Sequence, residues 1–409
     1  MNYRKKSMPG WFCLIAIFSI ALTASAFDFN RLPYQMVEDS YRTYDQTTPE
    51  LTFTNNGNIH VVYEDERTGT THAYGMTLMD NGTLSPSYRA YQGSDFDPHI
   101  SPFILPSTFS SDWCYCATAN TISTFVGCDL GRLDMAALPA APGTLDLDSV
   151  TMAIPSFTSM DMVHGGGYLF YVYSNDGSGN LVFNRYNEVG GWDGEVEITL
   201  TNDQYTPSLA IDDDGYLYVA YEEFMFSTEY YVYARRSQLP YDIGNWHDAR
   251  YVDWSSGAAP GYEPSIAVDG AYGNGDLKVA VNWKFTGSTA SIAHSADSMV
   301  DWTATTPVSF PGPTAASEML ILGTNFTGPD CAYGSDGKLY VTWADDRDGS
   351  YELYGNIATD GLTMTTANEE KLANDMVGIH GKPSIATGST ARDVAIAFCQ
   401  HDGSDITPF

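Results

Sequence analysis

Acidic and amide side chains recur where the strand-like segments of this chain end. Several of these segments finish in an aromatic residue, and a carboxylate or an amide follows two positions later. Oxygen atoms of such groups hydrogen-bond sugar hydroxyls, and they are also the ligands that calcium prefers. We therefore predict a ligand-binding surface that consists of these residues and their neighbours, namely Asp65, Arg67, Asn175, Glu223, Asp345, Arg347 and His401.

Other interpretations of the same residues stay open. Each Asp or Asn can cap its own hairpin, and Arg67 and Arg347 can pair with acids beside them. Pairs of carboxylates can also act as acid and base in glycoside cleavage. A lyase would instead use a histidine as base and Tyr205 or Tyr262 as acid, since both tyrosines stand two residues before a recurring proline.

Motifs that would define an enzyme class are absent from the sequence. It contains no His-Glu-x-x-His, no Gly-x-Ser-x-Gly and no phosphate-binding glycine loop. The run Asp212-Asp213-Asp214-Gly215 lacks the alternating ligand spacing of a calcium loop, and we interpret it as a turn. We expect no cofactor, although the acidic loops are compatible with a divalent cation such as calcium. Whether the chain is an enzyme is left open.

Residues 338–355 illustrate the strand–loop–strand module that must position these loops. They contain two alternating segments, 339–343 and 351–354, which are joined by an acidic hairpin loop. Alternation with period two is typical of strands, and turn residues recur roughly every 8 to 12 positions along the chain. Because no amphipathic helical stretch of useful length is found, we predict an all-β protein.

A proline followed two residues later by an apolar residue marks each copy of this module. The prolines stand 49 to 65 residues apart, a period that suits a four-stranded unit. Such a unit is too small to bury both of its faces alone, whereas units stacked around an axis bury them. We therefore predict a seven-bladed β-propeller of four-stranded antiparallel blades. The pairs are Pro49 and Leu51, Pro98 and Ile100, Pro155 and Phe157, Pro207 and Leu209, Pro264 and Ile266, Pro329 and Cys331, and Pro383 and Ile385.

The predicted ring closes with N-terminal sequence. Residues 27–44 have no blade of their own, and few residues follow the second strand of the seventh copy. We predict that this segment supplies a strand to the last blade. Residues 27–409 would then form one propeller domain.

The first 26 residues have the composition of a secretory signal peptide. Three basic residues at positions 4–6 precede the apolar run 11–22, and Ala24-Ser25-Ala26 supplies a small-residue cleavage site. Their removal takes away three positive charges and no acidic residue, and it moves the net charge from −32 to −35. So acidic a surface repels nucleic acid and anionic membranes. We expect a secreted protein, extracellular or periplasmic, that is a monomer and contacts no membrane once the signal is cleaved.

Five cysteines follow residue 26. Export permits disulfides, and we expect Cys128 to lie one hairpin from Cys114 and Cys116, where it can bridge to either. Cys331 and Cys399 are expected to be core thiols. Because no His or Cys completes a zinc spacing, we predict no metal site here.

The repeat pattern carries a resemblance. The pattern P-x-[IL]…DG-x-[IL]-Y-V-[TA]-[WY]-x-[DE]-D-R-x-G-x-Y-x-[IL]-Y is sharpest in residues 329–355, 207–236 and 49–75. It resembles repeats of secreted bacterial propellers in the sialidase-like superfamily and covers nearly the whole chain after residue 26. Arg31-Leu32-Pro33 is similar to the Arg-Ile-Pro of sialidases, whereas Asp336-Gly337 matches an Asp box only in part and no arginine triad has a recognisable spacing. The resemblance implies that loops between second and third strands share a face with the axial opening.

We predict a secreted propeller that binds an extracellular ligand, either a glycan or a cell-surface partner, on this axial loop face. The alternative is a carbohydrate-active enzyme, either a sialidase-like glycoside hydrolase or a polysaccharide lyase. The repeats are degenerate and no single loop stands out, which favours binding over catalysis.

Overall fold

The computed structural model of the chain consists of strands joined by turns. It describes residues 13–19, 35–37, 46–54, 57–65, 72–79, 82–91, 103–106, 113–122, 125–134, 138, 143–146, 148–149, 157–175, 177–187, 190–198, 202–224, 230–252, 261–272, 276–285, 289–296, 319–321, 328–345, 352–361, 364, 369–372, 379–389, 393–401 and 406–408. Within these residues no helix is long and apolar enough to cross a bilayer. The all-β prediction is confirmed.

The described strands form seven sheets of four or five strands, which we number 1 to 7 in chain order. The first strands of the sheets are β3 (Gln46–Phe53), β7 (Phe103–Pro106), β12 (Phe157–Gly165), β17 (Gln204–Ile211), β21 (Gly261–Asp269), β25 (Asp330–Tyr333) and β29 (Ile379–Thr387). Their antiparallel second strands are β4 (Ile59–Asp65), β8 (Trp113–Ile122), β13 (Tyr168–Asn175), β18 (Leu217–Phe224), β22 (Lys278–Phe285), β26 (Leu339–Asp345) and β30 (Asp393–His401).

The outer strands are shorter and less regular. Third strands of sheets 1 to 6 are β5 (His72–Leu78), β9 (Phe125–Asp134), β14 (Leu181–Asn187), β19 (Tyr230–Arg236), β23 (Thr289–Ala296) and β27 (Glu352–Ala358). Beyond them lie β6 (Tyr88–Tyr91), β10 (Gly143–Asp146), β11 (Asp148–Ser149), β15 (Gly191–Trp192), β16 (Val196–Ile198), β20 (Arg250–Tyr251), β24 (Met319–Ile321) and β28 (Glu370–Lys371). Sheet 7 is completed by β1 (Cys13–Ser19), β2 (Gln35–Val37) and β31 (Ile406–Pro408).

The core lies between neighbouring sheets, because alternating strands present an apolar set of side chains on each face. Trp343 and Val341 of β26, both buried, pack with Ala267 and Ala280 of sheet 5. Tyr63 packs in the same way with alanines of sheet 7. Full burial of one such side chain contributes about 1.5–3 kcal/mol. Stacking of sheets therefore supplies the stability that one sheet lacks.

The first strands contact one another in a cyclic order. β3 contacts β7, β7 contacts β12, and the contacts continue through β17, β21, β25 and β29 back to β3. The first strands therefore surround a common axis, and the sheets are arranged radially around it. This architecture is a β-propeller.

N-terminal strands join the last sheet, but not in the predicted way. β1 pairs with β30 from Leu14 opposite Phe398 to Ser19 opposite Asp393. β2, which lies within the predicted closing segment 27–44, pairs with β1. The sequence of β1 is strongly apolar, which suits a strand against the buried β30. Residues 13–19 fall inside the predicted signal peptide, and signal cleavage stays a prediction.

Sheet 3 differs from the predicted module. Pro155 lies outside the described residues, and the register shift of β12 falls between Phe157 and Met160. Met160 lies opposite Tyr173, where a proline stands in sheets 1, 4 and 5. The pairing of Pro155 with Phe157 as a module marker is therefore wrong. Met160 keeps its backbone N–H, so the ladder resumes one residue earlier than a proline allows. Pro98 also lies outside the described residues.

The hairpin of sheet 2 is longer than predicted, and its cysteines do not bridge. β8 continues to Ile122, so Cys128 of β9 lies opposite Ala119, not opposite Cys116. Cys114 and Cys116 are buried free thiols. The predicted disulfide is wrong because of this register. Burial raises the pKa of Cys116 to about 12, which keeps it in the thiol form.

The acidic run at 212–215 is a turn, as predicted. Asp212 Oδ1 accepts hydrogen bonds from the backbone N–H groups of Asp214, at 3.1 Å, and Tyr216, at 2.8 Å. Gly215 has a φ of 91°, a conformation that favours glycine.

Candidate functional site

The predicted loop-face residues lie at one end of the sheets. Asp65 and Glu223 lie opposite Gln46 and Gln204, close to the points where β3 and β17 begin. The others in described strands hold similar positions at the ends of second strands, namely Asn175, Asp345 and His401. Arg67 and Arg347 lie outside the described residues.

Two of these side chains have local partners. Asn175 Oδ1 accepts a hydrogen bond from the backbone N–H of Gly177 at 2.8 Å, and it thereby caps its own hairpin. Glu223 is buried and accepts a hydrogen bond from Asn202 Nδ2 at 2.6 Å. Removal from water raises the pKa of Glu223. Neither side chain lines the axial cavity described next.

A bulge interrupts the first strands where they approach the axis. The register of β17 shifts between Tyr205 and Ser208, and that of β21 shifts between Tyr262 and Ser265. Proline has no N–H to donate to the ladder, so Pro207 and Pro264 fall in the interruption. Similar shifts occur in β3, β12 and β29. The bulges leave each proline and the residue before it outside the strand pairing, and the ladder resumes at the residue after the proline.

These residues line a cavity on the axis. It has a volume of about 290 Å³ and is formed by the bulges of six first strands or their entrances. Its walls carry the carboxylates of Glu50, Asp161, Glu263 and Asp330, and the ammonium group of Lys382. Hydroxyl groups complete the polar surface, from Ser159, Thr206, Ser208 and Ser384.

One layer of the cavity wall ties neighbouring sheets together. Asp161 Oδ2 accepts a hydrogen bond from the N–H of Leu209 in the next sheet at 2.6 Å. Asp330 Oδ2 accepts one from the N–H of Ile385 at 2.9 Å. Serines do the same: Ser208 accepts from Ile266, and Ser265 from Cys331. This inter-sheet belt holds the polar side chains in place around the axis.

Strained backbone shapes the wall between sheets 4 and 5. Thr206 has a φ of 43° and Glu263 a φ of 51°, which are unfavourable for residues with a Cβ and cost on the order of 1–3 kcal/mol each. Glu222 Oε1 stabilises both turns, because it accepts hydrogen bonds from the Thr206 hydroxyl and from the Glu263 N–H, the latter at 2.6 Å. The strain is therefore maintained by a buried contact between the sheets.

Burial and charge alter the proton affinities in the cavity. Removal from water raises the pKa of Glu50 well above its ordinary value, and the nearby carboxylates of Asp330 and Asp161 raise it further. Burial raises the pKa of Asp161 to about 6, against the hydrogen bonds from Leu209 and Met162. Glu50 therefore retains a proton at pH values where an ordinary glutamate is ionised, and it can donate that proton.

Lys382 is the cation among these acids. Its Nζ lies 3.7 Å from Asp330 Oδ1. Burial opposes its charge, but Asp330, Glu50, Glu263 and Asp161 together raise its pKa. The described lining residues include four acids and one cation. The cavity therefore has a net negative charge whenever more than one of the acids is ionised.

Among the described residues, no group of three His, Cys, Asp or Glu side chains is arranged to hold a metal ion. The cavity acids line the wall, and Asp161 and Asp330 are already committed to backbone donors. Hydrogen bonding to a polar organic ligand is the chemistry that suits this wall.

Several cavity residues share a position in the sequence repeat. The polar residue between a module proline and its apolar partner belongs to the cavity wall in sheets 1, 4, 6 and 7, as Glu50, Ser208, Asp330 and Ser384 show. Such a residue interrupts the alternation of an otherwise buried strand. Asp161 lacks this signal, because Met160 replaces the proline.

The chain has the fold of known β-propellers. No protein-family model matches it, and no curated protein matches it. It is similar to the BP39L lectin from Burkholderia pseudomallei, with 10% identity, a TM-score of 0.57, and coverage of 90% of this chain and 99% of that chain. It is also similar to an α-L-arabinanase from Penicillium chrysogenum in complex with arabinobiose, with 14% identity, a TM-score of 0.50, and coverage of 96% and 99%. At such identities the likeness concerns the fold, which is a β-propeller.

Proposed function

We propose that this chain is a glycan-binding β-propeller that takes a sugar into its axial cavity. The observation that carries this proposal is the polar wall itself. Carboxylates, hydroxyls and one ammonium group face a volume of about 290 Å³, which is near the lower end of the range for small-molecule sites. Sugar hydroxyls both donate and accept hydrogen bonds, so a wall that mixes acceptors with donors is complementary to them.

Further parts of the proposal are taken from the sequence prediction, namely the blade number, export, oligomeric state, ligand class and superfamily. We propose that the seven sheets are the blades of one closed ring, and that the protein is exported as a monomer. The ligand would be an extracellular glycan in preference to a cell-surface protein. Membership of the sialidase-like superfamily is proposed on the repeat pattern alone. We propose that the predicted loop-face residues form the outer part of the binding site.

The two propellers of like fold support a carbohydrate ligand. One is a lectin, and the other holds arabinobiose. We extend the ligand class to this chain because its cavity offers the groups that such a ligand needs.

The direct test is retention on glycans before and after a change in the cavity. Glu263→Gln keeps an oxygen that can accept from the Gly328 N–H, a bond of 2.7 Å with Glu263 Oε2, but removes the negative charge. Because hydrogen bonds to charged groups contribute about 1.5–3 kcal/mol, we expect affinity on a glycan array to fall by about tenfold or more.

Glu195→Gln is the matched control. It removes the same charge from an exposed residue outside the cavity, where Glu195 accepts from the Tyr173 hydroxyl. We expect its glycan profile to equal that of the unchanged protein. Equal losses in both variants, or no retention of any glycan by the unchanged protein, would reject the axial cavity as the binding site.

A second candidate, glycoside hydrolysis, is favoured by one observation. The raised pKa of Glu50 gives an acid that can protonate a leaving oxygen, and Asp330 is a carboxylate nearby. Glycosidases use such a pair at about 5–10 Å across the scissile bond. New reducing ends in the same glycan incubations would establish turnover; retention without them supports binding.

A further inference from the structure

Four aromatic rings lie together beside the axial cavity. Tyr230 is the centre of the group, with ring-centroid distances of 5.8 Å to Tyr205, 5.1 Å to Phe224 and 5.5 Å to Tyr262. Each of the four side chains is partly exposed. Clusters within the sheets, such as Tyr221 with Tyr233, include fully buried rings. The group at Tyr230 therefore presents ring surface to the solvent.

The chain joins this group to the cavity wall. Tyr205 directly precedes Thr206, and Tyr262 directly precedes Glu263, and both Thr206 and Glu263 line the cavity. Glu222 links the Thr206 hydroxyl to the Glu263 N–H, and its charge raises the pKa of Tyr262. The rings thus continue the wall outward between sheets 4 and 5. The bulges repeat around the cavity, whereas these rings lie beside two of the first strands. The rings therefore make the cavity asymmetric.

We propose that these four rings, here called the aromatic platform, are a second sugar subsite that takes the neighbouring unit of a neutral oligosaccharide. This inference rests on the proposed function and names its ligand class. One unit lies in the cavity, and the next stacks on Tyr262 and Tyr205 through its C–H face. Aromatic side chains give such a unit a large contact area at low entropic cost.

Charge excludes acidic sugars from this pair of subsites. Asp203 accepts a hydrogen bond from the Tyr205 hydroxyl at 3.3 Å, and Glu222 lies opposite Tyr205 in the adjacent strand. The cavity adds four acids against one lysine, and the whole chain has a net charge of −32. A uronate or a sialic acid would meet an excess of like charge there.

The experiment measures how affinity depends on oligosaccharide length, both in the unchanged protein and in variants that lack one ring of the platform. Arabino-, xylo- and cello-oligosaccharides of one to six units are titrated into the protein, with oligogalacturonides of equal length as acidic comparators. For the neutral series that binds, we expect affinity to increase when a second unit is added. We expect Tyr262→Ala to abolish that increase, a loss of about 3- to 10-fold, and to leave the affinity for the monosaccharide unchanged.

Tyr262→Phe is the matched variant, because it keeps the ring and removes only the hydroxyl. It is expected to keep the gain with length. Unchanged monosaccharide affinity in Tyr262→Ala also shows that the cavity is still folded. Tyr205→Ala gives a second measurement, with the same expected loss, should Tyr262→Ala not fold.

The outcomes separate this inference from the function on which it rests. If neutral sugars bind and Glu263→Gln weakens them, but the gain with length survives Tyr262→Ala and Tyr205→Ala, the platform is rejected and the cavity stands. If oligogalacturonides bind as tightly as neutral sugars, the ligand class is rejected. If no neutral sugar binds, both proposals fail.

Discussion

At the scale of single residues, the cavity acids differ in what surrounds each carboxylate. Asp161 and Asp330 accept hydrogen bonds from the backbone of the next sheet, so they hold the ring together as well as line the cavity. Glu263 accepts from the Gly328 N–H and projects from a strained turn. Glu50 combines burial with like charges, which raise its pKa. The four acids thus differ in their surroundings: two link neighbouring sheets, one lies in a strained turn, and one has like charges beside it.

The raised pKa of Asp161 predicts a pH dependence of stability. Its pKa is about 6 in the folded protein against an ordinary 3.8, so the folded state binds the proton more tightly than the unfolded state does. Its contribution to the free energy of unfolding is therefore complete below pH 4 and is lost as pH rises through about 6. This loss amounts to at most about 3 kcal/mol, since one pKa unit corresponds to about 1.4 kcal/mol.

Asp161→Asn tests this dependence, because the amide does not titrate. Urea unfolding is measured for both proteins from pH 4 to pH 7. We expect the stability of the unchanged protein to decrease relative to that of the variant over this range. Parallel curves would show that the Asp161 carboxyl is not perturbed by its burial.

At the scale of elements, the bulged first strand is the unit that builds the site. In sheets 4 and 5 the proline breaks the ladder, the residue before it (Thr206 or Glu263) lines the cavity, and the serine after it accepts a hydrogen bond from the next sheet. Alternation and turn residues were enough to predict the second strands, for example residues 59–63, which lie within the observed β4. Prolines were enough to locate the first strands of five sheets. The side-chain partner of each polar residue depends on the neighbouring sheet, and no single repeat contains that information.

Other elements were mispredicted for physical reasons. Met160 takes the place of a proline because a register shift can form without one. The long hairpin of β8 and β9 follows from pairing that continues to Ile122 through polar residues, where alternation is weak. The aromatic platform could not be predicted, since Tyr205 and Tyr230 meet only through the fold.

The inter-sheet belt predicts a measurable cost for removing one hydroxyl. Ser265 Oγ donates to Asp330 Oδ1 at 2.8 Å and accepts from the Cys331 N–H at 3.3 Å. Ser265→Ala leaves that buried N–H unsatisfied, so we expect a loss of about 1–3 kcal/mol in the free energy of unfolding. Ser335→Ala, at an exposed turn position, is the control and should change stability by less than about 0.5 kcal/mol. Equal effects of the two substitutions in urea denaturation would contradict the belt.

At the scale of the whole molecule, repetition and asymmetry have separate consequences. Cyclic contact of the first strands brings repeated polar positions to one axis, and this produces the cavity. Departures from the repeat make the cavity asymmetric: Lys382 is the single cation among its described lining residues, and the aromatic platform lies between sheets 4 and 5. The strongly acidic surface adds a general exclusion of anionic ligands.

The most direct measurement is a crystal structure of the protein with the neutral oligosaccharide that binds most tightly. We predict one sugar unit in the axial cavity, within hydrogen-bonding distance of Glu263 and Asp330, and the next unit stacked on Tyr262. A sugar bound on an outer strand or at the opposite end of the sheets, with the axial cavity free of sugar, would contradict it.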